Sequence, residues 1–439
     1  MLRLRIPRYP LHVLLRRAAL AYLIIWQLSP PMAYGSGWRA LAVAAMLVWL
    51  ALDALEARSV LLRPNWTVLL TVSFVLYTIG VEWLVPEFGA LNRHFAVWIM
   101  LFFLLVGEGQ QRGYGDEARF CFWVVLLVMP VWILATLRGI DTVGADVSRT
   151  ISRSSDAARE LTAQGIGGFG FVYTVILCLP FLAQLALRFR PQPEDRMQPR
   201  WIRRFKRLLI WGNFLLGMLL VLRAGYAIAF ILSVLAILCV LLIRSRQTMP
   251  FAISACVVAL LVLLASVSLE PALRSLEGVV AGTEYSAKVR DILESLDDGE
   301  STGTLGMRTE RYYRSLLVFV ENPVIGSLNI DEIGGHSSIL DRFAESGIVV
   351  GGLFFALLVY VPLRFLRSSH VPIGLGLAFL ILAIGFPMLN PVFMSWGLIL
   401  YIFSRGAFVV MGLPLDQDGR RPRAEGRLAH AAGAQGLPR

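Results

Sequence analysis

Apolar runs of about 20 residues, each closed by Arg, Pro or Gly, recur along most of this 439-residue chain. At 1.5 Å per helical residue, a run of that length matches the hydrocarbon thickness of a bilayer. The pattern predicts about twelve helical spans, at 11–28, 40–57, 66–85, 94–107, 119–137, 169–187, 207–222, 226–243, 249–268, 348–366, 371–388 and 392–411. The two longest polar stretches between the runs lie at 138–168 and 269–347. The second is long enough to hold structure of its own. Tyr285 to Leu296 reads as one amphipathic helix, and Arg308 to Glu321 as another with Leu316, Leu317 and Phe319 on its apolar side. Asn322-Pro323 stops that helix, and Ser337 caps a third that runs to Gly347. The expected organisation is a membrane bundle over 1–268, a folded loop over 269–347, three further spans over 348–411 and a mobile Gly/Arg/Ala-rich tail over 412–439. No internal repeat is evident.

Composition agrees with an all-α, polytopic membrane bundle. The chain is 57% hydrophobic and only 16% charged, where a soluble protein carries about 25% charged residues. A net charge of +11 would elsewhere suggest a nucleic-acid partner; here it concentrates in short loops, where Lys and Arg set orientation. Basic residues gather at the N-terminus (Arg3, Arg5, Arg8, Arg16, Arg17), at Arg58 and Arg63, from Arg188 to Arg207, at Arg244 and Arg246, at Arg364 and Arg367, and in the tail from Arg420 to Arg427. With twelve spans all these segments fall on one side, which the positive-inside rule makes cytoplasmic, with both termini inside. The loop 269–347 falls on the other side and is acidic, with 14 Asp/Glu against 7 Lys/Arg. The N-terminal Arg cluster before an apolar run mimics a signal peptide, but no small-residue cleavage site follows, so a retained span is expected. The four cysteines, Cys121, Cys178, Cys239 and Cys256, lie in apolar runs at spacings that match no metal site.

Candidate chemistry lies on the acidic-loop side. Arg223 sits in a tight hairpin between two apolar runs, either as an interface anchor or as an anion clamp near the head-group plane. Arg308, Arg311 and Arg314 recur every third residue of one helix. They form either a solvated face, with Glu310 pairing Arg314 at i, i+4, or a phosphate-recognition stripe suited to the planar guanidinium. His336 follows Gly334-Gly335 at the start of a helix, a place that favours anions; it lacks a second His for metal binding.

The run NPVIG after an Arg-bearing helix, then GGHSSILDRFAESGIVVG leading into a span, resembles the O-antigen ligase/polymerase superfamily. The Arg223 hairpin resembles that family's Ser-Arg-Gly turn, with Leu222 in place of the usual Ser and Ala224 before Gly225. The specific resemblance covers 207–366. It implies a GT-C-like glycosyltransferase architecture in a bacterial inner membrane, with the long loop periplasmic. The implied donor is a glycan on polyprenyl diphosphate and the acceptor a sugar hydroxyl; a chain-length regulator is an implied partner, no cofactor is implied, and nucleic acid plays no part. Arg223 and Arg308 would stabilise the departing diphosphate, with Arg311 and Arg314 assisting. His336 would act either as base toward the hydroxyl or as a diphosphate ligand, with Asp341 or Glu345 then serving as base. Arg149, Arg153 and Arg159 would hold glycan or phosphate. The first outer loop, 29–39, carries no Asp or Glu of the kind that holds a metal in another class of membrane glycosyltransferases, so metal-independent chemistry is expected.

Within the family, GGHSS followed by Asp341, and LNPVF from Leu389 to Phe393, look more like the polymerases than the ligases. A ligase transferring the glycan to lipid A–core is the nearest alternative. A lipid-linked oligosaccharide flippase is the alternative of another class, disfavoured by the few mid-span ionisable residues and the lack of repeats. The folded loop is expected to pack over the spans near Arg223, forming a cavity open to the outer leaflet.

Overall fold

The computed structural model describes residues 10–33, 35–57, 59–85, 95–111, 115–144, 147–148, 151, 155–188, 198–224, 226–243, 274, 277–278, 290, 293, 303–368, 371–391 and 394–413. The expected span at 249–268, most of the expected helix from Tyr285 to Leu296, Arg149, Arg153, Gly225 and the tail beyond Leu413 lie outside the described residues.

Every regular element among the described residues is helical. The first five helices are α1 (Leu11–Leu28), α2 (Ser36–Ala54), α3 (Trp66–Leu84), α4 (Phe95–Gln111) and α5 (Gly115–Val143). There follow α6 (Ser155–Ala163), α7 (Phe169–Arg188), α8 (Arg200–Ala224), α9 (Ala227–Leu242), α10 (Gly303–Glu321) and α11 (Ser338–Ser368). Two interrupted helices close the bundle. In α12, Ile373–Leu380 continues through a π-helical stretch, Ile381–Gly385, into Phe386–Leu389; in α13, Met394–Gly397 continues through a second, Leu398–Phe403, into Ser404–Val410. Six helices, α1, α2, α5, α7, α8 and α11, are long and apolar enough to cross a membrane, and five shorter apolar helices stand with them: α3, α4, α9, α12 and α13.

Helix ends depart from the hydropathy pattern where polar contacts decide them. The fifth apolar run was expected at 119–137, yet α5 begins at Gly115, with Asp116 and Glu117 in its first turn, and runs on past Arg138 and Asp141. Acidic side chains suit the positive end of the helix dipole, which extends it beyond the apolar run. α2 stops at Ala54, short of the expected 57, because the buried Asp53 carboxylate accepts from Ser59 Oγ (2.9 Å) and the Val60 amide (2.8 Å), pulling the chain into a turn. Asn65 caps α3 by accepting from the Val68 amide at 3.0 Å.

The core lies along α7, 78% of whose apolar window is buried, against 17% for the peripheral α2. Phe181 of α7 packs on Phe379, Phe403 and Phe408 of the last two helices. Gly397 and Gly406 let α13 approach the backbones of Met100 and Ala118 closely, as small residues do at membrane helix crossings. The many exposed Leu and Val side chains of α2, α3 and α8 form the outer surface expected of helices in lipid.

One end of the bundle is tied by buried charges. Arg16 of α1 donates to Glu117 of α5 at 2.7 Å and lies 3.6 Å from Glu56, just past α2; Arg16 and Glu117 are each 2% exposed. Nearby in sequence terms, Glu108 of α4 accepts from Asn65 (2.7 Å) and Arg364 of α11 (3.4 Å), and lies 3.8 Å from Arg405 of α13. Arg405 also donates to the Gly107 carbonyl. These contacts put the start of α1, end of α2, start of α3, end of α4, start of α5 and end of α11 at the same end.

Breaking a buried ion pair from one side leaves an uncompensated charge, at a cost of about 3–5 kcal/mol. Arg16→Ala should therefore lower the thermal unfolding temperature of the detergent-solubilised protein markedly, and Arg16→Met combined with Glu117→Leu should recover most of the loss. Equal destabilisation by single and double variants would contradict this account.

Candidate anion-binding site at the loop end of the bundle

The opposite end carries α10, the first turns of α11 and the segment 322–337 between them. Asn322-Pro323 ends α10 as its sequence requires, and the Gly326 amide closes the following turn on the Asn322 carbonyl at 3.0 Å. Gly326 (φ 83°) and Gly347 (φ 66°) are both left-handed. A side chain at Gly326 would overlap the Glu345 backbone, and one at Gly347 the Val324 carbonyl. Their spacing in the sequence thus reports two backbone crossings of one structure. Gly347 also breaks α11, separating the packed segment 338–346 from the apolar run that starts at Ile348. The carbonyls freed at that break accept from the Ser327 amide (Ala344, 2.9 Å) and the Leu328 amide (Glu345, 3.0 Å), while the Ile348 amide donates to Pro323 at 2.8 Å.

Asp341 organises the next layer. Its carboxylate accepts from Ser315 Oγ on α10 (2.6 Å), from the Ser337 amide (3.0 Å) and from the Gly335 amide (3.3 Å). Ser337 Oγ caps the helix, accepting from the Leu340 amide at 3.2 Å as its sequence position suggests. Ser315 Oγ accepts in turn from the Gly334 amide at 2.9 Å, and a side chain at Gly334 would overlap the Arg311 carbonyl. Gly334, two residues before His336, is therefore pressed onto α10.

That contact brings His336 to Arg311, with NH1 2.8 Å from Nε2. A guanidinium only donates, so Nε2 accepts and the imidazole proton resides on Nδ1. The pair sets the positive charge of Arg311 beside the imidazole ring. Arg314, expected to pair Glu310 or phosphate, instead donates to the carbonyls of Glu332 (2.7 Å) and Asp331 (2.9 Å), fixing the loop. Glu345 is buried and bound to Arg342, whose guanidinium lies 5.7 Å from the Phe354 ring centre. Arg308 lies on α10, one turn before Arg311.

Contacts to α12 dock this unit on the bundle. Tyr312 Oη donates to the Leu389 carbonyl at 2.8 Å, and the Ser338 amide to Asn390 at 3.4 Å. Beneath, Phe386 packs on Tyr173 (4.9 Å between ring centres), and Tyr173 on Tyr226 (5.6 Å) beside the Arg223 hairpin. The described part of the loop thus meets the end of α12, and the rings of Phe386 and Tyr173 lie between that end and Tyr226. Arg223 itself is paired with Asp141 of α5, and both side chains are more than half exposed.

Sequence reasoning missed Ser315, Tyr312 and Asp141. Asp141 lies past the point where the apolar run ends, and nothing in the pattern marks Ser315 as an Asp341 partner. Arg342 and Glu345, at i, i+3, carried a readable signal. Among the described residues no three His, Cys, Asp or Glu side chains gather where a metal could be held.

No protein-family model, no curated protein and no solved structure matches this chain.

Gly347→Ala should cost at least the roughly 1–2 kcal/mol of a left-handed non-glycine residue, and more because of the overlap at Val324. Differential scanning fluorimetry of the purified variant should show a lowered transition, whereas Gly352→Ala, with open space around its Cβ position, should unfold like the parent.

Proposed function

We propose that this chain is a membrane glycosyltransferase that polymerises polyprenyl-diphosphate-linked oligosaccharide repeat units into a surface polysaccharide. The observation that carries the reading is the Arg311–His336 pair, held by Asp341 on a loop docked at the end of an apolar bundle. The motif resemblance noted in the sequence supports the same chemistry. The proposal includes twelve spans, a GT-C-like architecture and an inner-membrane location. The end rich in buried ion pairs and basic loops is then cytoplasmic with both termini, and the loop end periplasmic.

In the proposed reaction an acceptor sugar hydroxyl attacks the anomeric carbon of the donor. The new glycosidic C–O bond forms as the bond to diphosphate breaks, and the electron pair leaves on the polyprenyl diphosphate. The hydroxyl proton passes to water or to a phosphate oxygen. Diphosphate is a good leaving group, so the chief requirement is stabilisation of its growing charge, which fixed cations and donors in a dry site do well. Arg311 supplies the charge, and His336 holds its guanidinium in place through Nε2. With Nε2 accepting from Arg311, the imidazole is poorly placed to act as a base through that nitrogen. Asp341 and Glu345, engaged with donors of their own, are better suited to positioning than to proton abstraction. Arg308 stands one turn before Arg311 on α10, and Arg223, released from Asp141, would approach the same head group.

The test uses the purified full chain in detergent with EDTA and a polyprenyl-diphosphate-linked repeat unit as the only glycan, read by gel and mass spectrometry. A ladder of multimers is expected, reduced about 10²–10³-fold in Arg311→Ala and His336→Ala, with unfolding temperatures unchanged. Arg311→Lys should restore only part of the rate, because an ammonium lacks the planar fork. Transfer only after addition of a lipid A–core acceptor would make the protein a ligase. Absence of transfer under both conditions would overturn the reading.

A further inference from the structure

α10 has three faces rather than the two of an ordinary surface helix. At about 100° per residue, Ser315, Val318 and Phe319 share one side, and they pack inward: Ser315 and Val318 are buried, and Phe319 meets Phe343 of α11 at 5.5 Å between ring centres. Glu310, Arg314 and Glu321 share a second side and are exposed. The third side is a stripe about 100° wide made of Tyr313, Leu316, Leu317 and Val320, exposed by 60%, 46%, 42% and 65%. Leu316 and Leu317 were expected to share one apolar side with Phe319; instead that side divides, and only Phe319's part faces protein.

The exposed stripe has a continuation. Val324 and Ile325, 62% and 61% exposed, extend it past the end of the helix. The turn that holds them is bonded to the start of the α11 span through Ile348 N–H to Pro323 O, at 2.8 Å. There Ile348 and Val349 are 57% and 67% exposed, at the point where a helix long and apolar enough to cross a membrane leaves the loop. Exposed apolar residues at the start of a span and on the helix bonded to it, bordered by a charged face, are what the boundary between acyl chains and head groups selects.

We infer that α10 is an interfacial helix: its Tyr313–Val320 stripe lies against the lipid of the leaflet at the loop end, its Glu310–Arg314–Glu321 face lies in water, and its third face holds the loop. The partner is the lipid surface itself. This inference is independent of the glycosyl-transfer reading, since it concerns where the helix sits and not what it turns over.

Nitroxide labels placed at Leu316→Cys and Val320→Cys in the full chain, reconstituted in lipid nanodiscs after removal of the native cysteines, test it directly. Relaxation by molecular oxygen should exceed that by a water-soluble nickel chelate several-fold at both sites, as at Ile348→Cys, and the order should reverse at Glu310→Cys and Glu321→Cys. Dominance of the nickel chelate at 316 and 320 would overturn the inference in favour of an aqueous loop. Shielding from both reagents would overturn it in favour of cover by residues 269–302 or by a second copy of the chain. If the cysteine-free background does not fold, p-benzoylphenylalanine at Leu316 in the native background replaces it: photocrosslinks to lipid support the inference, and crosslinks to protein alone refute it.

Discussion

One buried carboxylate sets the arrangement at the loop end. Asp341 lies in the first turn of a helix, where it gains from the dipole, but it is shielded from water and must find donors within the protein. The donors come from two separate pieces of chain: the Ser315 hydroxyl of α10, and the Gly335 and Ser337 amides of the loop. Satisfying the one group therefore registers the loop against α10, and the residue caught between the two amides is His336. Its distance to Arg311 follows from this registration, since hydrogen bonds to a charged acceptor contribute about 1.5–3 kcal/mol each. The Gly334 amide, which donates to Ser315 Oγ, ties the same loop to α10 one residue earlier.

The two ends of the bundle treat charge differently, and the difference is physical. Around Arg16, Glu117, Glu108 and Arg405 the charged groups are almost wholly buried and meet opposite charges across helices. Such pairs gain little net stability over apolar packing, yet each is costly to break, so they specify which helices meet and in what register. At the loop end one such buried pair occurs, Arg342 with Glu345, but Arg223 and Asp141 are exposed, and Arg311 meets an imidazole rather than a carboxylate. A guanidinium whose partner carries no negative charge keeps its field for an incoming anion. The first arrangement suits a scaffold, and the second suits a binding site.

Much of this was legible from the chain alone. Apolar runs announced most helices, Asn322-Pro323 announced the end of α10, and Ser337 and Gly347 marked a cap and a break that the structure contains. Less legible was the division of labour among residues of one type. Arg311 and Arg314 are chemically identical and one turn apart, yet one meets His336 and the other holds the carbonyls of Asp331 and Glu332. That outcome depends on where a loop closes, which no local pattern encodes. The same holds for Asp341, which the sequence offered as a base and the structure uses as a collector of amides, and for Asp141, brought to Arg223 by the packing of α5 on α8 across 82 residues. Helix ends slipped where a buried polar group, as at Asp53, outweighed hydropathy.

The geometry of α10 joins the two proposals. On a helix whose apolar stripe rests in the leaflet, Arg311 lies on nearly the opposite side from Tyr313–Val320, about 160° around from the tyrosine. It therefore faces the bundle and the His336 loop at the level of the lipid head groups. A lipid-linked diphosphate has its charge at that level when its tail is in the acyl layer. Such a donor could meet Arg311 and His336 without lifting any of its hydrocarbon into water, a step that would cost about 0.8 kcal/mol per methylene. An acceptor glycan, fully hydrated, would come instead along the charged face of Glu310, Arg314 and Glu321. A helix that separates lipid, water and protein on three faces would bring two substrates of opposite solubility to the same row of side chains, an arrangement that a loop standing free in water could not provide.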